Sequence, residues 1–179
     1  MPANKIMRLQ GIASIHCIIC DSSIVNGHTE NASVAKTEYY IDQSRLKKIQ
    51  YVAGNSGRNI TVYDIGKKLS WESTSGKAAN INTDIEYIKN AYNHEIRQIL
   101  GSQLEEPLQY VGKENMGSIL CDVFEDKSGF QEWVWHNYLL PVQYKRAWNY
   151  DNLCKRTFLQ MRNIDLNQKF PDSIFDKPQ

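Results

Sequence analysis

No apolar run in the sequence approaches 18 residues, so no segment reads as a helix that crosses a bilayer. Proline is scarce, with five in 179 residues. Internal repeats, low-complexity tracts and Pro/Gly/Ser-rich linkers are missing altogether. Nothing divides the chain, and residues 1–179 are expected to form one domain. Nor does charge of one sign dominate. With 21 basic and 20 acidic residues, the formal net charge is +1. No global field therefore recruits nucleic acid, an anionic membrane or an acidic substrate.

Cysteine is sparse too: Cys17, Cys20, Cys121 and Cys154. In an extended segment Cys17 and Cys20 lie about 10 Å apart on opposite faces, beyond the reach of a disulfide. No second CxxC exists to complete a zinc site. All four are expected to be reduced, small buried hydrophobes. On the strand order given below, Cys121 and Cys154 stand about 14 Å apart, too far for a bridge.

Catalytic signatures fail on inspection. His94-Glu95-Ile96-Arg97-Gln98 imitates HExxH, but Gln98 replaces the second histidine, and the segment reads as a solvated helix face. Gly54-Asn55-Ser56-Gly57 is not GxSxG, and no P-loop is present. The expectation is a protein that is not an enzyme, with no cofactor and no metal. The basic runs Arg45/Lys47/Lys48, Lys145/Arg146 and Lys155/Arg156 alternate with aromatics, as in single-stranded nucleic-acid binders. Near-zero net charge weighs against that, and no nucleic-acid partner is expected.

What is abundant is aromatic and β-branched. Aromatics make up 11% of the chain, with ten Tyr and four Trp. Strand patterns occupy 14–25, 33–42, 45–52, 59–64 and 68–74. A second block covers 109–114, 118–125, 130–135, 142–148 and 153–164. Short turns between them favour antiparallel pairing. Between the blocks, Ile85, Ile88, Tyr92, Ile96 and Ile99 form one helical stripe. Thr83 and Glu86 have capping-box spacing, and Gly101 is a C-terminal stop. Lys5 and Arg8 before 9–15 faintly imitate a signal peptide, but Gln10 and His16 interrupt it. That stretch reads as folded structure or as the start left by trimming.

Several segments resemble the LolA-like fold, that of the periplasmic lipoprotein carrier and its relatives. They are Tyr39–Arg45, Ile60–Trp71, the hairpin Val111–Phe124, Glu132–Trp135 with Leu140-Pro141-Val142, and the tail Phe170–Phe175. The resemblance spans roughly residues 39–178 and implies an open half-barrel lidded by helix, holding acyl chains in the periplasm or at the cell surface. It also implies a lid contact for Arg45. The expected fold is α+β and mostly β, a single strongly curved antiparallel sheet with the helix on its concave face.

One helix cannot fill such a hollow, so inward side chains are expected to line a cavity for an apolar ligand such as a lipid or acyl chain. The contact candidates are Trp71, Ile88, Tyr92, Trp133, Trp135, Tyr144 and Trp148. The plainer reading is that the tryptophans simply pack the core. The rival function is a sensor or docking module for an envelope protein on the same scaffold.

Overall fold

The computed structural model describes residues 11–25, 35–51, 57–74, 77, 80–100, 108–150 and 153–177, without the side chains at 23–25, 147–150 and 153–157. Five strands precede a short sixth: β1 (Ser14–Val25), β2 (Ala35–Asp42), β3 (Arg45–Tyr51), β4 (Arg58–Asp64), β5 (Leu69–Thr74) and β6 (Asn80–Asn82). The helix α1 (Ile85–Leu100) follows. The chain then runs through β7 (Gln109–Met116), β8 (Ile119–Glu125), β9 (Gln131–Trp135), β10 (Leu140–Tyr150) and β11 (Leu153–Leu166). A single 3₁₀ turn, Asp172–Ile174, lies in the tail.

All eleven strands form one antiparallel sheet in the order β6-β5-β4-β3-β2-β1-β11-β10-β9-β8-β7. It consists of two meanders joined where β1 pairs with β11. The α1 connection carries the chain from the β6 edge to the opposite β7 edge. The helix approaches β4 and β5 on one side and β10 on the other. In a flat sheet β4 and β10 lie five strand steps, or about 24 Å, apart. A helix about 10 Å across reaches both only if the sheet curls around it. The helix therefore occupies the concave side of an open, unclosed sheet, as the alternation and the stripe predict.

The stripe behaves as its spacing requires. Ile88, Tyr92, Ile96 and Ile99 are buried, with Leu100 added at the end. They meet Ile15, Cys17, Tyr39, Ile41, Leu46 and Tyr63 from the first meander, and Cys121, Val123, Trp133, Leu140, Val142 and Met161 from the second. Ile12 and Ile15 belong to this core, so the end of the apolar N-terminal stretch is folded structure. The cap differs from expectation. Asp84, not Thr83, accepts the N–H groups of Glu86 (3.0 Å) and Tyr87 (3.3 Å). A carboxylate at that place also meets the positive end of the helix dipole. Gly101 lies outside the described residues.

A second, smaller core covers the convex side. Val62 and Trp71 are buried there under Phe170 and Phe175 of the C-terminal segment. Beside it, His16 stands between Glu38 (3.0 Å) and Asp165 (3.1 Å) and stacks on Tyr40. The hydroxyls of Tyr40 and Tyr51 both donate to Glu38, at 2.8 and 2.7 Å. Both faces of the middle strands are thus covered.

Candidate binding cavity on the concave face

Tyr92 and Glu95 fix the helix over the hollow. The Tyr92 hydroxyl donates to the Asp42 carbonyl, 2.5 Å away, at the β2–β3 turn. Glu95 accepts from the Lys48 ammonium at 2.8 Å and from the Tyr39 hydroxyl at 3.5 Å. This corrects the expectation of a solvated face at 94–98. Glu95 is turned toward the sheet, while His94 meets Gln98 on the exposed side. Among the described residues no three His, Cys, Asp or Glu side chains stand together as a metal set.

Beside the last turn of α1 lies a cavity of about 540 Å³. Its floor is two rungs of the ladder. The first runs Glu132–Tyr144–Leu159–Asp21–Ala35 across β9, β10, β11, β1 and β2. The second runs Met161–Ile19–Thr37–Gln50. Gln98 and Ile99 approach from the helix, and Phe130 closes the β9 end. Side chains on one rung point to one face, which is why residues so distant in sequence converge.

A bulge in β10 sets the chemistry of the β9 end. Leu140 pairs with Trp135 and Pro141 with Val134, after which the register slips and Gln143 meets Trp133. One extra residue shifts the alternation of β10 against β9. Before the bulge, the core residue Leu140 faces Trp135. After it, Tyr144 faces Glu132. Two consecutive residues of β9 are therefore both buried, Trp133 in the main core and Glu132 in the cavity wall.

Burial is the sole cause that pushes the Glu132 carboxyl above the usual carboxylate range. Tyr144 is likewise raised, first by burial and then by the charge of Asp21, against an opposing effect of Arg146. Its ring stacks on Phe130 with centroids 5.8 Å apart.

The expected contact residues scatter around this cavity. Tyr144 lines it. Ile88 and Tyr92 are fully buried in the helix–sheet core and are not among the lining residues. Trp133 is core, its indole N–H donating to Glu114 at 2.8 Å, and Trp135 packs edge-on against Tyr138. Trp71 lies on the opposite face, its indole N–H donating to the Phe175 carbonyl at 3.3 Å. The alternation that turns Tyr63 inward turns its neighbour Val62, and with it Trp71, outward. The side chain of Trp148 lies outside the described residues.

Arg45 is also convex. Its guanidinium grips Asp42 and Asp172 and covers the Phe175 ring, so its described partners belong to the tail and the β2–β3 turn rather than to α1. The basic run 45–48 is consumed internally. Arg45 holds Asp172, Lys47 donates to the Ile174 carbonyl at 2.7 Å, and Lys48 pairs with Glu95. Glu132, Phe130 and Ile99 were not foreseen as cavity residues. The one signal for them is the carboxylate set inside the otherwise apolar and amide strand Gln131–Trp135.

No known family matches the chain, and no curated protein does. Among solved structures, MucB is similar with a TM-score of 0.54 and 16% identity, covering 98% of this chain and 61% of that one. A LolA superfamily protein from Nitrosomonas europaea gives 0.41 and 13%, covering 99% and 98%. A DUF1329 family protein from Desulfovibrio piger gives 0.40 and 11%, covering 97% and 94%. At these identities the likeness is one of fold.

Proposed function

We infer that this chain, a distant example of the LolA-like fold, is an extracytoplasmic, non-catalytic protein that holds an apolar ligand between its curved sheet and its helix. One observation carries the reading, the cavity of about 540 Å³ whose wall combines the apolar Ile19, Leu159, Met161, Ile99 and Phe130 with polar side chains. Its size falls within the range of small-molecule sites, and the apolar part of its wall gains from excluding water. Among the described residues, no helix is long and apolar enough to cross a membrane. The extracytoplasmic setting and the acyl-chain ligand follow from the sequence resemblance. The test is a native mass spectrum of the purified protein, followed by displacement of an uncharged fluorescent lipid probe. A co-purified lipid or saturable displacement supports the carrier; a clean apo mass and no saturable binding would overturn it.

Protein docking on the same scaffold is the second reading. The outer strand β7 favours it, because Tyr110 and Val111 are exposed on the strand that ends the sheet among the described residues. A pull-down with envelope extract that is lost on Tyr110→Lys would move the assignment there.

A further inference from the structure

Glu132 is 6% exposed, yet its carboxylate has no hydrogen-bond or ion-pair partner among the described residues. Burial alone accounts for its displaced acidity, with no offsetting contact. Native proteins rarely leave a buried polar group unpaired, because each one forfeits its hydration without compensation. A carboxyl held this way inside a cavity wall is placed to pair with a group that a ligand brings.

The surroundings specify that partner. Asp21 shares the rung of Glu132 and adds a second acid to the wall. Arg146 is the one cationic lining residue, and it has an interaction of its own. The last turn of α1, which contributes Gln98 and Ile99, brings the negative end of the helix dipole to the same place. Next to the carboxyl stands the Phe130–Tyr144 stack, whose ring faces attract a cation. Beyond it the wall turns apolar through Leu159, Met161 and Ile19.

We propose that Glu132 is the head-group recognition residue of this cavity, and that the ligand is a single-chain amphiphile carrying an ammonium group. The proposal rests on the reading of the cavity as a ligand site and adds to it the chemistry of the polar end. The alkyl chain lies along Leu159, Met161 and Ile19. The ammonium donates to Glu132, beside the Phe130–Tyr144 stack. Burial raises the Glu132 carboxyl above the usual carboxylate range, and an ammonium beside it offsets that effect by favouring the ionised form. The other titratable groups on the wall are Asp21, Tyr39, Tyr144 and Arg146.

The experiment compares dodecylamine, dodecanol and dodecanoate by calorimetry at neutral pH, below their micellar concentrations. Dodecylamine is expected to bind roughly tenfold or more tighter than dodecanol, as a charge-assisted hydrogen bond provides, with dodecanoate weakest. Glu132→Gln should abolish the amine preference while still binding dodecanol, and its thermal melt by circular dichroism should confirm the fold. Equal affinity for all three probes, or an amine preference that survives Glu132→Gln, would overturn the proposal. So would loss of the preference in Asp21→Asn instead. If none of the three binds the wild type, the cavity reading itself fails, and this proposal with it.

Discussion

The guanidinium carbon of Arg45 stands 4.3 Å from the centroid of the Phe175 ring, while its nitrogens hold Asp42 and Asp172. One side chain thus pins the C-terminal segment to the convex face, directly over Trp71. Arg45→Ala is expected to cost about 1–2 kcal/mol of stability and to red-shift tryptophan emission as Trp71 meets water. Arg45→Lys should recover little, because an ammonium lacks the planar fork that binds and stacks at once. Urea melts followed by emission check both. An unchanged emission maximum in Arg45→Ala would show that the tail is held by something else.

The helix is tied down by Glu95, whose partner Lys48 is also shielded from solvent. Glu95→Ala leaves the Lys48 ammonium and the Tyr39 hydroxyl unpaired, at an expected cost of about 2–4 kcal/mol. Replacing both residues, Glu95→Leu with Lys48→Met, should cost less than Glu95→Ala alone. A double-mutant cycle from denaturant melts measures the coupling; additive losses would deny the pair any role.

Glu38 sets the acid limb of stability. Partial burial raises its carboxyl, but hydrogen bonds from Tyr51, His16 and Tyr40 outweigh this and hold it at about 2, below its ordinary 4.5. A depressed acid stabilises the fold above its unfolded value, and that gain is lost as pH falls from 4.5 to about 2. The contribution at neutral pH is on the order of 3 kcal/mol. Glu38→Gln should lower the melting temperature at neutral pH and flatten its fall between pH 4.5 and about 2. A melting profile as steep in the variant as in the wild type would refute this account.

Burial pushes the Cys17 thiol up to about 12, aided by the charge of Glu38, and pushes Cys121 up to about 11. Both should resist alkylation in the native protein at mildly alkaline pH, since the thiolate is the reactive form. Cys121 lies in β8 and Cys154 in β11, three strand steps or about 14 Å apart. Thiol titration in denaturant should therefore find four free thiols. Finding two would contradict the strand order itself.

The elements whose periodicity is strong were readable from sequence: α1 by its stripe, and ten of the strands by their alternation and turns. The strand β6 was not, because Asn80-Ile81-Asn82 is too short and polar to carry a pattern. Face assignment failed at Trp71 for a physical reason. In β4 and β5 both faces are covered, so Val62 and Tyr63 are both buried, as are Ser70 and Trp71. Alternation then says that neighbours part, not which one turns to the helix. Glu132 was hidden by the β10 bulge, which changes the parity of β9 through pairing and leaves no mark in β9 itself. Arg45 misled because its lid role came by resemblance. Its position was recognisable from the strand motif, while its partner depended on where the tail would run.

The seam between the two meanders has a consequence for how the chain is made. Every other ladder joins strands consecutive in the chain, and each can form as soon as its own hairpin exists. The β1–β11 ladder pairs Ile15 with Leu166 and has to wait until the second meander has emerged. Until then β1, destined for the middle of the sheet, is an unpaired edge. The helix meanwhile has only half of its eventual bed to rest on. Such long-range closure is slow and leaves a template open to a second nascent chain. The strand β11 is therefore the one that finishes the core, and the fold's most vulnerable interval is the time before β11 emerges.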